Sequence, residues 1–124
     1  MPKTILVVDD SKPVRAELRR MLQGAGYEIV EAENGQAGTV SVACRPRFDL
    51  IILDVNMPLV NGIDMLKNIK RRNLAPGVPI LMLTTEGLDT LIEEAKNAGA
   101  SGWMWKPFKP ENLLAAVNKL AGGS

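Results

Sequence analysis

Asp9 and Asp10 follow the apolar run Ile5-Leu6-Val7-Val8, and Asp54 follows Leu50-Ile51-Ile52-Leu53. Thr84 and Thr85 follow Ile80-Leu81-Met82-Leu83, and Lys106, with Pro107 behind it, follows Trp103-Met104-Trp105. If these run ends meet at one edge, three carboxylates repel one another, which raises some of their pKa values or demands a cation. An oxygen-rich site of this kind suits Mg²⁺, which prefers octahedral oxygen coordination and keeps several waters. Thr84 adds a hydroxyl donor and Lys106 a positive point charge. A carboxylate nucleophile, a metal, a hydroxyl and an ammonium are what an incoming phosphoryl group needs. Taken singly, each residue has a plainer reading. The aspartates could cap helices, Thr84 could simply end a strand, Lys106 could be solvated and Pro107 could punctuate a turn.

The elements that would bring these residues together are legible in the periodicity. Strands are predicted over residues 5–8, 27–32, 50–53, 80–83 and 103–105. Three of the runs are continuously apolar, as strands covered on both faces must be, whereas Tyr27-Glu28-Ile29-Val30-Glu31-Ala32 is mixed and suits an edge. Between the runs, Val14, Leu18, Met21 and Leu22 form one helical stripe and Leu88, Leu91, Ile92 and Ala95 another. Ile63, Leu66 and Ile69 sketch a third, and Leu113, Leu114, Val117 and Leu120 a fourth, with Pro110 in its first turn. The segment from Gly35 to Cys44 has the weakest helical pattern, since Gly38, Thr39 and Val40 have modest propensity. Gly24, Gly26, Gly77, Gly99 and Gly102 precede strands, where helices should stop. Five such βα units imply an α/β fold: a parallel sheet with right-handed crossovers and helices on both faces. Ligands then bind at the carboxyl ends of the strands, where the strand order reverses.

Composition narrows the function classes. The 124 residues are 46% hydrophobic and 23% charged, an ordinary globular balance, and enough chain for one domain with its own core. Fifteen Lys plus Arg against fourteen Asp plus Glu leave a net charge of +1, so no bulk field attracts nucleic acid or a membrane surface. The chain has no histidine and one cysteine, Cys44, which excludes a Ser-His-Asp or Cys-His engine and any internal disulfide. Cys44 reads as a small buried hydrophobe. No signal-peptide layout and no apolar stretch near the roughly 18 residues of a spanning helix are present, so a soluble cytoplasmic protein is expected. Arg15, Arg19 and Arg20, and Lys67, Lys70, Arg71 and Arg72, read as solvated faces, the last run also complementing a helix dipole.

Val8-Asp9-Asp10, Leu53-Asp54-Val55-Asn56-Met57-Pro58 with Asn61-Gly62, Leu83-Thr84 and Trp105-Lys106-Pro107-Phe108, in that order at successive strand ends, resemble the signature of response regulator receiver domains. The pattern is most similar to chemotaxis-type, CheY-like members, and it covers residues 3–120. The resemblance implies a three-layer flavodoxin-like (βα)5 fold with sheet order 2-1-3-4-5, one receiver domain over residues 1–124 and no output domain. It makes Asp54 the phosphoacceptor, with Asp9, Asp10, Asp54 and the Asn56 carbonyl holding Mg²⁺, Lys106 gripping the phosphoryl group and Thr84 moving in to hydrogen-bond it. It also implies a cis peptide before Pro107, and a switch coupling Thr84 to the aromatic residue at Trp103. Chemotaxis-type members usually carry Tyr there, so Trp103 is a departure, and a half-buried packing role stands beside the switching one. Trp105 reads as plain packing. Asn56 and Glu86 resemble fast-resetting members, while Thr85, where the family often has a smaller residue, argues for slower exchange.

By the same resemblance the partners are a sensor histidine kinase or phosphotransfer protein, a downstream target such as a flagellar motor component, and a phosphatase. The chain itself is expected to be a monomer when unphosphorylated. It would be a switch that catalyses only its own phosphorylation and dephosphorylation, not an enzyme acting on a free metabolite. Three alternatives stay open. The chain could be the receiver part of a larger DNA-binding regulator. It could be a Mg²⁺-dependent aspartyl-phosphate phosphatase, which Asn56 disfavours, since such enzymes carry a second carboxylate at that position. A flavin carrier is disfavoured by Asp9-Asp10, where a phosphate loop would be needed.

Overall fold

The computed structural model describes residues 3–44, 48–55, 61–84 and 89–122. The order is β1 (Thr4–Val8), α1 (Lys12–Gly24), β2 (Glu28–Ala32), α2 (Gly35–Cys44), β3 (Leu50–Asp54), α3 (Gly62–Arg71), β4 (Ile80–Thr84), α4 (Asp89–Asn97), β5 (Gly102–Trp105) and α5 (Pro110–Leu120). The strands form one parallel sheet in the order β2-β1-β3-β4-β5. This is the predicted flavodoxin-like (βα)5 arrangement, and the mixed strand β2 is at an edge. The order reverses at β1, whose neighbours are β2 and β3, so the carboxyl ends of β1 and β3 frame the crevice where ligands bind in such sheets.

The two-residue period of the strands sorts the core into two layers. Ile5, Val7, Leu50, Ile52, Leu81 and Leu83 pack with Leu18 and Leu22 of α1 and Leu113 and Val117 of α5. The alternate residues Leu6, Val8, Ile51, Leu53, Ile80 and Met82 pack with Val42 of α2, with Ile63, Met65, Leu66 and Ile69 of α3, and with Ala95. Because β1, β3 and β4 are apolar on both faces, each can lie inside the sheet, covered by helices on either side.

Helix ends are fixed where the sequence places caps. Ser11 Oγ accepts a hydrogen bond from Val14 N, Asn34 Oδ1 from Ala37 N, and Asn61 Oδ1 from Asp64 N. Gly26 turns the chain into β2 at φ 97°, a left-handed conformation that favours glycine. The weakly patterned α2 forms over the predicted range, with Gly38 letting it approach the sheet: a Cβ there would lie 2.7 Å from Met65 Cε and 2.9 Å from Val8 Cγ2. Leu88 lies outside the described residues. No helix among the described residues is long and apolar enough to cross a membrane.

Three expectations need correction. Cys44 is exposed, because it is the last residue of α2 and belongs to neither core layer. Trp105 is 49% exposed, since β5 is an edge strand and its final residue belongs to neither layer. Arg15 is largely withdrawn from solvent, whereas Arg19 stays 39% exposed; both bind Glu31 of β2, which docks the side of α1 against that strand.

Candidate phosphoryl-acceptor site

Parallel strands of matched length deliver their carboxyl ends to one edge, and the register places the candidate residues there together. Asp9 directly follows β1, Asp54 ends β3, Thr84 ends β4 and Lys106 directly follows β5. Asp9, Asp54 and Thr84 are almost completely buried, whereas Asp10 is exposed. Carboxylate oxygens of Asp9, Asp10 and Asp54 all lie within 4.8 Å of one another. Lys106 Nζ sits 2.8 Å from Asp9 Oδ2 and 3.1 Å from Asp54 Oδ1, so one ammonium bridges the two buried carboxylates. Burial alone would favour the neutral amine, but the hydrogen bond to Asp9 and the charges of Asp54 and Asp9 outweigh it and raise the Lys106 pKa. The repulsion expected of a carboxylate cluster is thus partly answered within the protein.

Main-chain contacts fix this edge further. Asp9 Oδ1 accepts from Ser11 N at 2.8 Å, Lys106 N donates to Thr84 O at 2.7 Å, and Val55 N donates to Leu83 O at 2.8 Å. The Lys106–Pro107 peptide is cis, as the resemblance implies. Trp103 pairs in register with Met82 and Thr84 with Trp105, so Thr84 and Trp103 are diagonal neighbours on one face of the sheet. Trp103 packs against the α3 and α4 layer, and its buried Nε1 has no hydrogen-bond partner among the described residues.

The structure therefore brings together Asp9, Asp10, Asp54 and Lys106, with Thr84 and Trp103 beside them. Asn56, Thr85 and Glu86 lie outside the described residues. Two contributors escaped the sequence reading. Gly62 enters the sequence signature only as part of the Asn61-Gly62 pair. Its N–H donates to Val55 O at 3.1 Å, and a Cβ there would collide with the Asp54 carbonyl oxygen, so only glycine lets α3 start against the end of β3. Arg15 donates through Nη1 to the Asp9 carbonyl at 2.6 Å. Nothing local in the sequence signals that contact, because it depends on how α1 docks across β2.

This fold and site are those of a signalling switch of the α/β class, and the comparisons with known proteins agree. The chain belongs to the response regulator receiver domain family, whose model matches residues 5–118, and within it the chain is CheY-like. It is 42% identical over 116 residues to the phosphate regulon transcriptional regulatory protein PhoB of Pseudomonas aeruginosa, an alignment covering 93% of this chain and 50% of PhoB. The chain spans about half the length of the transcriptional regulators it matches. Among solved structures, the chemotaxis protein CheY4 of Vibrio cholerae has a TM-score of 0.90 at 40% identity, covering 97% of this chain and 99% of CheY4. The receiver domain of the sensor histidine kinase PA1611 from Pseudomonas aeruginosa, with a magnesium ion coordinated in its active-site cleft, has a TM-score of 0.87 at 27% identity, covering 98% and 99% of the two chains. The chain is accordingly a receiver domain of two-component signalling.

Proposed function

We propose that Asp54 accepts a phosphoryl group from the phosphohistidine of a sensor kinase or phosphotransfer protein, and that the domain resets by hydrolysis. The observation that carries this reading is the Lys106 bridge, 2.8 Å from Asp9 Oδ2 and 3.1 Å from Asp54 Oδ1, with Asp10 close to both carboxylates. A buried carboxylate held beside an ammonium is a nucleophile with its charge neutraliser already in place. In the transfer, an Asp54 oxygen forms a bond to phosphorus as the phosphorus–nitrogen bond of the donor breaks, leaving an acyl phosphate on this chain and a neutral imidazole on the donor once it has taken a proton.

Three carboxylates with oxygens this close, two of them buried and one open to water, form a hard oxygen donor set that fits Mg²⁺ better than a thiol- or imidazole-binding ion. Asp9, Asp10 and Asp54, with the Asn56 carbonyl, would hold it, and Mg²⁺ when bound supplies charge neutralisation to the phosphoryl oxygens. Lys106 stabilises the same oxygens from the β5 side. Thr84, at the end of the adjacent strand, donates its hydroxyl to a phosphoryl oxygen, and Trp103 on the same sheet face responds to that movement.

The output is contact with a target protein through the face made by β4, α4, β5 and α5, where Trp105 is exposed. The 40% identity to CheY4 supports a switch in chemotaxis, with a flagellar motor component as target. The match to half of PhoB favours a second reading, the receiver part of a DNA-binding regulator. Titration with beryllofluoride, a mimic of the phosphoryl group on a carboxylate, tests the site when Mg²⁺ is present and tryptophan fluorescence is followed. We expect a saturable, Mg²⁺-dependent change that disappears in Asp54→Asn. A response that survives that substitution assigns the acceptor elsewhere.

A further inference from the structure

Arg15 closes the first turn of α1, yet only 12% of its side chain is exposed. Its guanidinium makes two contacts of different kinds. Nε lies 3.1 Å from Glu31 Oε1 on β2, and Nη1 donates to the main-chain carbonyl of Asp9 at 2.6 Å. The other Glu31 oxygen is taken by Arg19, so Glu31 is itself held from two sides. The planar guanidinium suits this task, because its rigid fork can serve a carboxylate with one edge and a carbonyl with another.

The Asp9 carbonyl belongs to the peptide that joins Asp9 to Asp10. On the other flank of Asp9, its N–H donates to Ala32 O at 3.1 Å, which continues the β1–β2 ladder. A peptide is planar, so fixing the Asp9 carbonyl also fixes the Asp10 N–H and the point from which Asp10 departs. This matters because the three carboxylates are positioned differently. Asp9 and Asp54 are locked by burial and by Lys106, whereas Asp10 is exposed and depends on its backbone.

We propose that Arg15, anchored by Glu31, is a positioning residue that aims the Asp9–Asp10 peptide and so sets the geometry in which Asp10 meets a divalent cation. The proposal rests on reading the three aspartates as a Mg²⁺ site. It also predicts a sign opposite to that of simple electrostatics. A guanidinium near the cluster repels a cation, so if Arg15 were a bystander, its removal would tighten Mg²⁺ binding. If it positions Asp10, its removal weakens binding.

The test is calorimetric titration of Mg²⁺ into the unphosphorylated full chain, for the wild type and for Arg15→Met, Arg15→Lys, Glu31→Gln and Arg19→Met. The Asp10 amide resonance is followed by NMR in metal-free buffer. Outer-shell partners of metal ligands typically contribute ten- to hundredfold in affinity, so Arg15→Met should bind Mg²⁺ about tenfold more weakly. Arg15→Lys, which can reach the carbonyl or Glu31 but not both in the same way, and Glu31→Gln, which weakens the anchor, should fall between. Arg19→Met shares the Glu31 contact but not the Asp9 carbonyl, and should bind Mg²⁺ as tightly as the wild type or more tightly. The Asp10 amide should shift in Arg15→Met and not in Arg19→Met, a signature that general loss of stability would not produce. A folded Arg15→Met that binds Mg²⁺ as well as the wild type overturns the proposal. If Arg15→Met does not fold, unweakened binding by Arg15→Lys does the same. A wild type that binds no Mg²⁺ overturns the metal-site reading itself, and the proposal with it.

Discussion

Glu31 shows how one residue couples the acidic edge to the rest of the chain. Burial pushes its carboxyl pKa up, but the hydrogen bonds and charges of Arg19 and Arg15 outweigh that and hold it below the ordinary glutamate value. A carboxylate with a depressed folded-state pKa contributes stability that is fully present above its unfolded value, about 4.3, and that is lost as pH falls through the lower folded value. The group is about a quarter exposed, with 28% of its side-chain surface open to solvent, so water screens the pair. Its worth is then about 1 kcal/mol. Glu31→Gln should therefore lower the unfolding free energy by about that amount at neutral pH, and the gap should close at an acid pH below the lowered folded-state value. Urea unfolding at the two pH values measures it. A gap of constant size would mean that the substitution disturbs shape rather than charge.

At the scale of elements, two glycines set how closely helices approach the sheet, and they differ in what they face. At Gly62 a side chain would meet backbone: the Asp54 carbonyl, and Val55 Cα at 3.0 Å. Backbone cannot swing aside, so Gly62→Ala should cost about 3 kcal/mol and displace the start of α3 from the end of β3. At Gly38 the nearest atom is the end of the Met65 side chain, which can change rotamer, and the strand neighbour Val8 must yield only slightly. Gly38→Ala should cost about 1 kcal/mol or less. Thermal unfolding of the two variants tests the order, and equal losses would show that α2 is as tightly seated as α3. These elements were largely legible beforehand. Continuous apolar runs marked β1, β3 and β4, and the residues just past them marked Asp9, Asp54 and Thr84, because strand ends are local features of the sequence. The docking of α1 on β2 through Arg15 and Glu31 was not legible, since residues sixteen apart on different elements carry no period that pairs them. Trp105 was misread for a related reason: alternation assigns a face, but not whether a helix covers the end of an edge strand.

For the whole molecule, the carboxyl edge is a place where stability and binding are the same quantity. Among the described residues, three carboxylates converge there and one ammonium bridges two of them, an excess of two negative charges, and those two carboxylates are buried, where water cannot screen them. The central strands β1, β3 and β4 are apolar on both faces and hold this edge closed against that repulsion. An ion that binds the folded chain and not the unfolded one raises the unfolding free energy, by about 2.7 kcal/mol at a hundred times its dissociation constant. Removing one charge from the edge should act in the opposite sense on the two conditions. Asp54→Asn keeps the pairing of Lys106 with Asp9 while deleting one of the repelling charges. In EDTA it should be more stable than the wild type by about 1 kcal/mol, the scale of a partly screened charge interaction. In saturating Mg²⁺ the wild type should gain the larger increment and close or reverse the gap, because it keeps all three carboxylates. Chemical denaturation of both chains with and without Mg²⁺ gives the four numbers. An Asp54→Asn chain that is less stable in EDTA would mean that the Lys106–Asp54 contact outweighs the repulsion, and that the edge is already balanced before any ion arrives.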